Sequence, residues 1–190
     1  MLKDLVDIIS GAAIYIKDYS ENGQYPVVQA SDIVSNTKIS ELSNLPKLES
    51  LPARSPAVIH QNDILMLSRS TPGKEFRSSL VQSEQKSMAN SSLYIIRIKD
   101  KKVNPEYLNF YLNSPAFQSE IMQKARGSTI MHISKSVLGE TSILLPSLEQ
   151  QKTIVDLYNN VIKQINLHDK QKQLKRDILK TIFLKLQNNV

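Results

Sequence analysis

Hydrophobic and polar positions change rhythm at Pro146. Before it, short apolar runs are separated by polar stretches. After it, apolar residues recur every three or four positions and neither proline nor glycine appears again. The first region predicts a mixed α/β (α+β) globular domain over residues 1–146, the second a long coiled-coil-type helix over 147–190. Within the first, Val6-Asp7-Ile8-Ile9 and Tyr25-Pro26-Val27-Val28 predict short strands. His60-Gln61-Asn62-Asp63 predicts a turn into a buried strand, Ile64-Leu65-Met66-Leu67, with Asp63 hydrogen-bonding the turn. The β-branched and aromatic run at 92–98 predicts the clearest strand. Asn104-Pro105 and Ser114-Pro115 each combine a cap residue with proline at the first helical position. They predict two helices, one carrying Tyr107, Leu108, Tyr111 and Leu112 on one face, the other burying Phe117, Ile121 and Met122. Segments 31–56 and 68–90 show no sustained period and predict long polar loops, and a third loop follows at 126–129.

The second region has a heptad register. Ile154, Val161, His168, Lys175 and Ile182 form one set; Tyr158, Ile165, Lys172, Leu179 and Leu186 form the complementary one. The seam is apolar at its ends and polar in its middle, with Leu167 and Leu174 beside it. A helix of this length would reach roughly 60 Å at about 1.5 Å per residue, too far to be hidden in a domain of this size. Pairing with another helix, including self-association between copies, is the expected use of the seam. Packing on its own globular part remains the alternative for the proximal half.

Composition is that of an ordinary soluble protein, 41% hydrophobic and 22% charged. Apolar runs are too short to span a membrane, the first residues lack a signal-peptide core, and cysteine is absent. A cytoplasmic protein without membrane association is expected. The net charge is +6. Residues 147–190 hold eight Lys/Arg against four Asp/Glu, so most of the surplus lies on the helix. A polyanionic partner and a solvated helix face explain that surplus equally well.

Candidate chemistry is sparse. Asn104-Pro105-Glu106-Tyr107 is a near miss for the Asn/Asp-Pro-Pro-aromatic motif of amino-group DNA methyltransferases. Glu106 breaks it, however, and no Gly-x-Gly cradle accompanies it, so Asn104 is read as a helix cap. His60, His132 and His168 have no triad or metal spacing, and no carboxylate pair stands out. A catalytic site, a metal site and a bound cofactor are therefore not expected in this chain. The polar loops do carry side chains that read nucleic acid: Ser68, Arg69, Ser70, Thr71, Lys74 and Arg77 in one, Arg126, Gly127, Ser128, Thr129, His132, Ser134 and Lys135 in another. Arginine and lysine clamp guanine edges or phosphates, and hydroxyls serve as adaptable partners. Gly73 and Gly127 would permit close backbone approach to a phosphate.

Taken in order, these pieces resemble the specificity (S) subunits of type I restriction–modification systems. The resemblance runs through Leu2-Lys3-Asp4-Leu5-Val6-Asp7-Ile8-Ile9-Ser10-Gly11, Asn62-Asp63-Ile64-Leu65 (Asn62 where glycine is usual), Asn104-Pro105-Glu106-Tyr107-Leu108, Tyr111-Leu112-Asn113-Ser114, and Gly127-Ser128-Thr129 before Ile133-Ser134. Its most specific part is Ile143-Leu144-Leu145-Pro146-Ser147-Leu148-Glu149-Gln150-Gln151-Lys152-Thr153-Ile154. It implies a target recognition domain followed by a conserved-region helix that sets spacing and docks subunits. The implied partners are double-stranded DNA, methyltransferase subunits carrying S-adenosylmethionine, and the restriction subunit. A usual S subunit has two copies of each part and this chain one, so a homodimer of half-subunits is expected, reading an interrupted palindrome. A scaffold that does not bind DNA, and a truncated subunit that modulates a full-length one, are the competing readings.

Overall fold

The apolar runs at 64–67 and 93–98 form strands buried on both faces, and the layers of the first unit follow from that double burial. A computed structural model describes residues 1–52 and 55–187, except the side chains of residues 166 and 181–187. In chain order the elements begin α1 (Leu2–Leu5), β1 (Val6–Ser10), β2 (Tyr25–Val28), β3 (Thr37–Ile39), β4 (Lys47–Leu48) and β5 (Val58–Ile59). There follow β6 (Ile64–Leu67), β7 (Arg69–Ser70), β8 (Ser78–Val81), β9 (Ser87–Ala89) and β10 (Leu93–Ile98). The last are α2 (Pro105–Leu112), α3 (Pro115–Lys124), β11 (Met131–His132), α4 (Lys135–Gly139) and α5 (Leu148–Gln187). Clustering of contacts divides them into two units, Met1–Leu148 and Glu149–Val190.

A five-stranded sheet in the order β1-β10-β6-β8-β3 is the centre of the first unit. It is antiparallel except for the parallel pair β3 and β8. Successive side chains of a strand point to opposite faces. Ile64, Met66, Tyr94 and Ile96 therefore join one core with Leu108 and Leu112 of α2 and Phe117 and Ile121 of α3. Leu65, Leu67, Leu93 and Ile95 join a second core with Val27, Val28 and Met88. The register Ile64↔Ile96, Leu65↔Ile95 keeps the two sets on their own sides. The second core is closed by a four-stranded sheet, β4-β2-β9-β5. Fully burying each such side chain contributes about 1.5–3 kcal/mol, so the central strands carry a large share of the unit's stability.

Short strands interrupt the long loops expected at 31–56 and 68–90: β3 and β4 lie in the first, β7, β8 and β9 in the second. Serine conceals them. Ser78 and Ser79 are fully buried. The Ser78 hydroxyl donates to Asn109 Oδ1 at 2.9 Å, and that of Ser79 to the Val34 carbonyl at 2.7 Å. A buried hydroxyl with a partner behaves as a small core residue. The caps read from sequence form as expected: Asn104 accepts from the Tyr107 N–H, and Ser114 from that of Phe117.

Side-chain amides take the place of a neighbouring strand beside 76–78. Gln118 Oε1 accepts from the Phe76 N–H at 2.8 Å, and its Nε2 donates to the Phe76 carbonyl at 3.0 Å. Asn113 does the same for Ser78, at 2.9 and 3.1 Å. Helices α2 and α3 thereby satisfy backbone groups that no strand pairs, and buried backbone groups need such partners.

Asp63 fixes the turn into β6. Its Oδ2 accepts the His60 N–H at 2.7 Å, while Asn62 takes the left-handed conformation at φ 68°, where glycine or asparagine is least strained. Arg97 then clamps the carboxylate bidentately, Nε to Oδ1 at 2.9 Å and Nη2 to Oδ2 at 2.7 Å. These hydrogen bonds hold the Arg97 guanidinium above its ordinary pKa, against the pull of partial burial. Asp63→Ala would strand a half-buried guanidinium and free the turn. We expect a loss of about 3 kcal/mol in urea unfolding; a loss below about 1 kcal/mol would show that the clamp is dispensable.

Candidate nucleic-acid interface

The two polar loops nominated in the sequence meet in space. The chain leaves β6, passes through Ser68 and enters β7, which pairs antiparallel with β11 in the register Met131↔Ser70 and His132↔Arg69. On the far side of β11, Arg126 forms a bridge with His132. Its N–H donates to the His132 carbonyl at 3.0 Å, and the His132 N–H to the Arg126 carbonyl at 2.8 Å. Directly opposed residues of antiparallel strands project from the same face. Arg69, His132 and Arg126 thus form one row, with steps of about 5 Å between Cβ atoms. All three are exposed.

Each nominated residue has a definite place. Ser68 is buried, and its hydroxyl donates to the Ser92 carbonyl at 2.9 Å. It anchors the start of the ribbon and does not present its oxygen outward. Ser70 donates to the carbonyls of Lys74 and Glu75, at 2.9 and 3.1 Å, and closes the loop that exposes Thr71, Gly73 and Lys74. Arg77 is exposed just before β8, and its carbonyl accepts the Leu67 N–H at 3.0 Å. Ser128 and Thr129 are exposed at the tip of the other loop. Ser134 is exposed but serves as N-cap of α4, accepting from Val137. Lys135 faces a separate hollow shared with Lys3, Asp7, Lys99 and Glu140. The row itself borders an open groove lined by Gln123, Lys124, Arg126, His132, Ser134 and Val137.

The two glycines differ from each other. Gly73 is at φ 79° with open space where a Cβ would project, so a ligand could approach there. Gly127, at φ 121°, has the Ile130 carbonyl oxygen 2.0 Å from a Cβ position. The close approach at Gly127 is therefore to its own loop. It turns Ile130 outward, 60% exposed.

Three contributors escaped sequence reasoning. Tyr94 is buried beneath the ribbon and donates to the Ile133 carbonyl at 2.9 Å, with its oxygen 3.4 Å from His132 Nε2. Burial raises its pKa, and the Arg69 cation opposes this. Gln123 and Lys124 lie on the last turn of α3 and carry no motif of their own; the periodicity of that helix, which leaves them on its outer face, is the only signal.

The second unit is helical along α5. Of the nominated seam, Val161, Ile165, His168, Lys172, Lys175 and Leu179 are exposed, and Ile154 and Tyr158 are partly buried. The side chains of Ile182 and Leu186 lie outside the described residues. Leu157, Leu167, Leu174 and Ile178 are also more than half exposed. In the distal part the exposed apolar positions are Leu167, Leu174, Ile178 and the nominated Leu179, with Leu167 and Leu174 lying beside the polar His168, Lys172 and Lys175. Among the described residues no helix is long and apolar enough to cross a membrane.

Comparison with known proteins supplies a frame. Residues 1–176 match the family described as type I restriction modification DNA specificity domain. The MjaVIII type I restriction enzyme specificity subunit of Methanocaldococcus jannaschii is 27% identical over 133 residues, 67% of this chain and 29% of that protein. A chain from a structure addressing complex assembly and conformational transition of the type I R-M system superposes with a TM-score of 0.70 at 19% identity, covering 95% of this chain and 42% of the other. The HsdS subunit from Thermoanaerobacter tengcongensis gives 0.60 at 20% identity, covering 87% and 37%. At these identities the superpositions establish the fold, an α/β unit followed by a long helix. The chain spans less than half the length of each of these relatives.

The two glycines give a test of the ribbon. Gly127→Ala should expose the His132 amide to hydrogen exchange, because the added methyl cannot coexist with the Ile130 carbonyl. Gly73→Ala should leave it protected and cost about 1 kcal/mol in stability. Equal protection in both variants would mean that Gly127 does not shape the loop.

Proposed function

The chain belongs to the type I restriction modification DNA specificity domain family, and on that premise we propose that its first unit recognises duplex DNA through the β7–β11 ribbon. The observation that carries this reading is the joining of two separate polar loops into one exposed row of Arg69, His132 and Arg126. A two-stranded ribbon fits the major groove of B-form DNA, where base pairs are distinguishable. Arginines at the two ends of the row can hold phosphates or guanine edges, while Lys74, Arg77, Ser128 and Thr129 supply further contacts from the loop tips. This chain acts as the non-catalytic reader, and adenine methylation belongs to methyltransferase subunits that bring S-adenosylmethionine.

In the same proposal α5 pairs with a like helix through its exposed apolar positions. The pair separates two recognition units, so the complete reader addresses a bipartite site, with a homodimer giving an interrupted palindrome. Methyltransferase subunits, and the restriction subunit with them, assemble on that frame. The exposed leucines, valine and isoleucines of α5 support pairing, since a solitary solvated helix gains nothing from them.

Two outcomes follow. Arg69→Ala with Arg126→Ala should weaken binding to duplex DNA and make the plot of log affinity against log salt shallower by about 2. An unchanged slope would remove both arginines from the phosphate contacts, and no duplex binding by the unaltered chain with methyltransferase present would favour a scaffold. Inserting one heptad after Lys170 should lengthen the spacer of the recognised sequence. A functional insertion variant with unchanged spacing would contradict the ruler.

A further inference from the structure

The place of His132 in the row has a chemical consequence that rests on the DNA-reading proposal and deepens it. Tyr94 has a single hydroxyl proton. It is committed to the Ile133 carbonyl at 2.9 Å. The same oxygen lies 3.4 Å from His132 Nε2, and the rings meet edge to face with centroids 6.4 Å apart. Since the phenol has no second proton to donate, this contact is a hydrogen bond only when Nε2 carries the proton. A neutral imidazole protonated on Nε2 has a bare Nδ1, which is an acceptor. No intramolecular hydrogen bond engages Nδ1 among the described residues, and His132 is exposed. The Tyr94 phenol carries its proton at neutral pH, and burial raises its pKa further.

We propose that His132 is a specificity-determining residue whose Nδ1 accepts a hydrogen bond from an exocyclic base amine, with Tyr94 as the positioning residue that fixes its tautomer. In the major groove such amines are N6 of adenine and N4 of cytosine. The flanking arginines set the approach of the duplex, and the central acceptor discriminates against guanine and thymine, which present only acceptors to a side chain at that edge. This differs from the usual expectation for a histidine on a basic surface, which would be a donor to phosphate.

The test has a spectroscopic and a recognition arm, both on the full chain. Imidazole nitrogen spectra recorded above the titration range of histidine should show His132 protonated on Nε2, and Tyr94→Phe should shift it toward a mixture. Protonation on Nδ1 in the unaltered chain would overturn the proposal. In selection from a random duplex library, His132→Ala should lose one base preference while keeping the salt dependence, and His132→Asn, whose amide oxygen can accept, should retain part of it. At that position purine in place of adenine, or pyrimidin-2-one in place of cytosine, should weaken the unaltered chain roughly tenfold and leave His132→Ala unaffected. The base that responds decides between the two amines. A selected sequence that His132→Ala leaves unchanged would sink the role of His132 while leaving DNA reading intact. Absence of any duplex binding by the unaltered chain, both alone and with methyltransferase present, would overturn both.

Discussion

Strands β6 and β10 lie between two apolar layers, and the rest of the first unit is arranged to cover both of their faces. Alternation along Ile64-Leu65-Met66-Leu67 sends side chains into both cores, so neither face tolerates water. Helices α2 and α3 cover one side and the four-stranded sheet the other. An antiparallel sheet commonly keeps one face solvated; here β6 and the first four residues of β10 are buried on both faces, and those two runs are correspondingly continuous in hydrophobicity. The ribbon emerges from this rigid centre only one residue after β6 ends. Ser68, buried and bonded to Ser92, is the joint.

Rigidity reaches the candidate interface by two routes. From below, Tyr94 stands on β10 with its ring in the first core and its oxygen under β11. From the side, Asn113 and Gln118 engage the backbone of Ser78 and Phe76, so the segment that closes the β6–β8 hairpin is bonded to the helices. Buried amide bonds contribute only about 1 kcal/mol each when made, but cost more when a partner is left alone. Their effect is thus greater on which conformation the loop adopts than on total stability. A surface that discriminates bases needs that kind of fixation, because a displaced donor or acceptor selects nothing.

What could be read in the sequence followed from pattern strength. β6, β10 and the starts of α2 and α3 were legible because an apolar run or an Asx/Ser-Pro pair admits few conformations. Asp63 at its turn was legible for the same reason. β8 and β9 were hidden because Ser78, Ser79 and Ser87 look like loop residues until their burial is known. The two polar loops can be picked out by their side chains, but the pairing of Arg69 with His132 depends on tertiary register, which no local signal carries. Ser68 and Lys135 stand beside the exposed loop residues in sequence, whereas Ser68 is turned inward and Lys135 faces another hollow. On α5, seven-residue counting puts the polar His168, Lys172 and Lys175 in the middle of the seam, and Leu167 and Leu174 beside them carry apolar surface through it. A helix with 3.6 residues per turn drifts against a seven-residue count, so an apolar stripe need not keep one register.

In the proposed function, two segments distant in sequence act as one DNA-facing surface. Titrating the isotopically labelled chain with a duplex and following backbone amide resonances tests it most directly. Amides at Arg69, Ser70 and Lys74 and at Arg126, Ser128 and His132 should shift together, along a single binding curve. Shifts confined to one of the two segments, or centred elsewhere on the first unit, would contradict it.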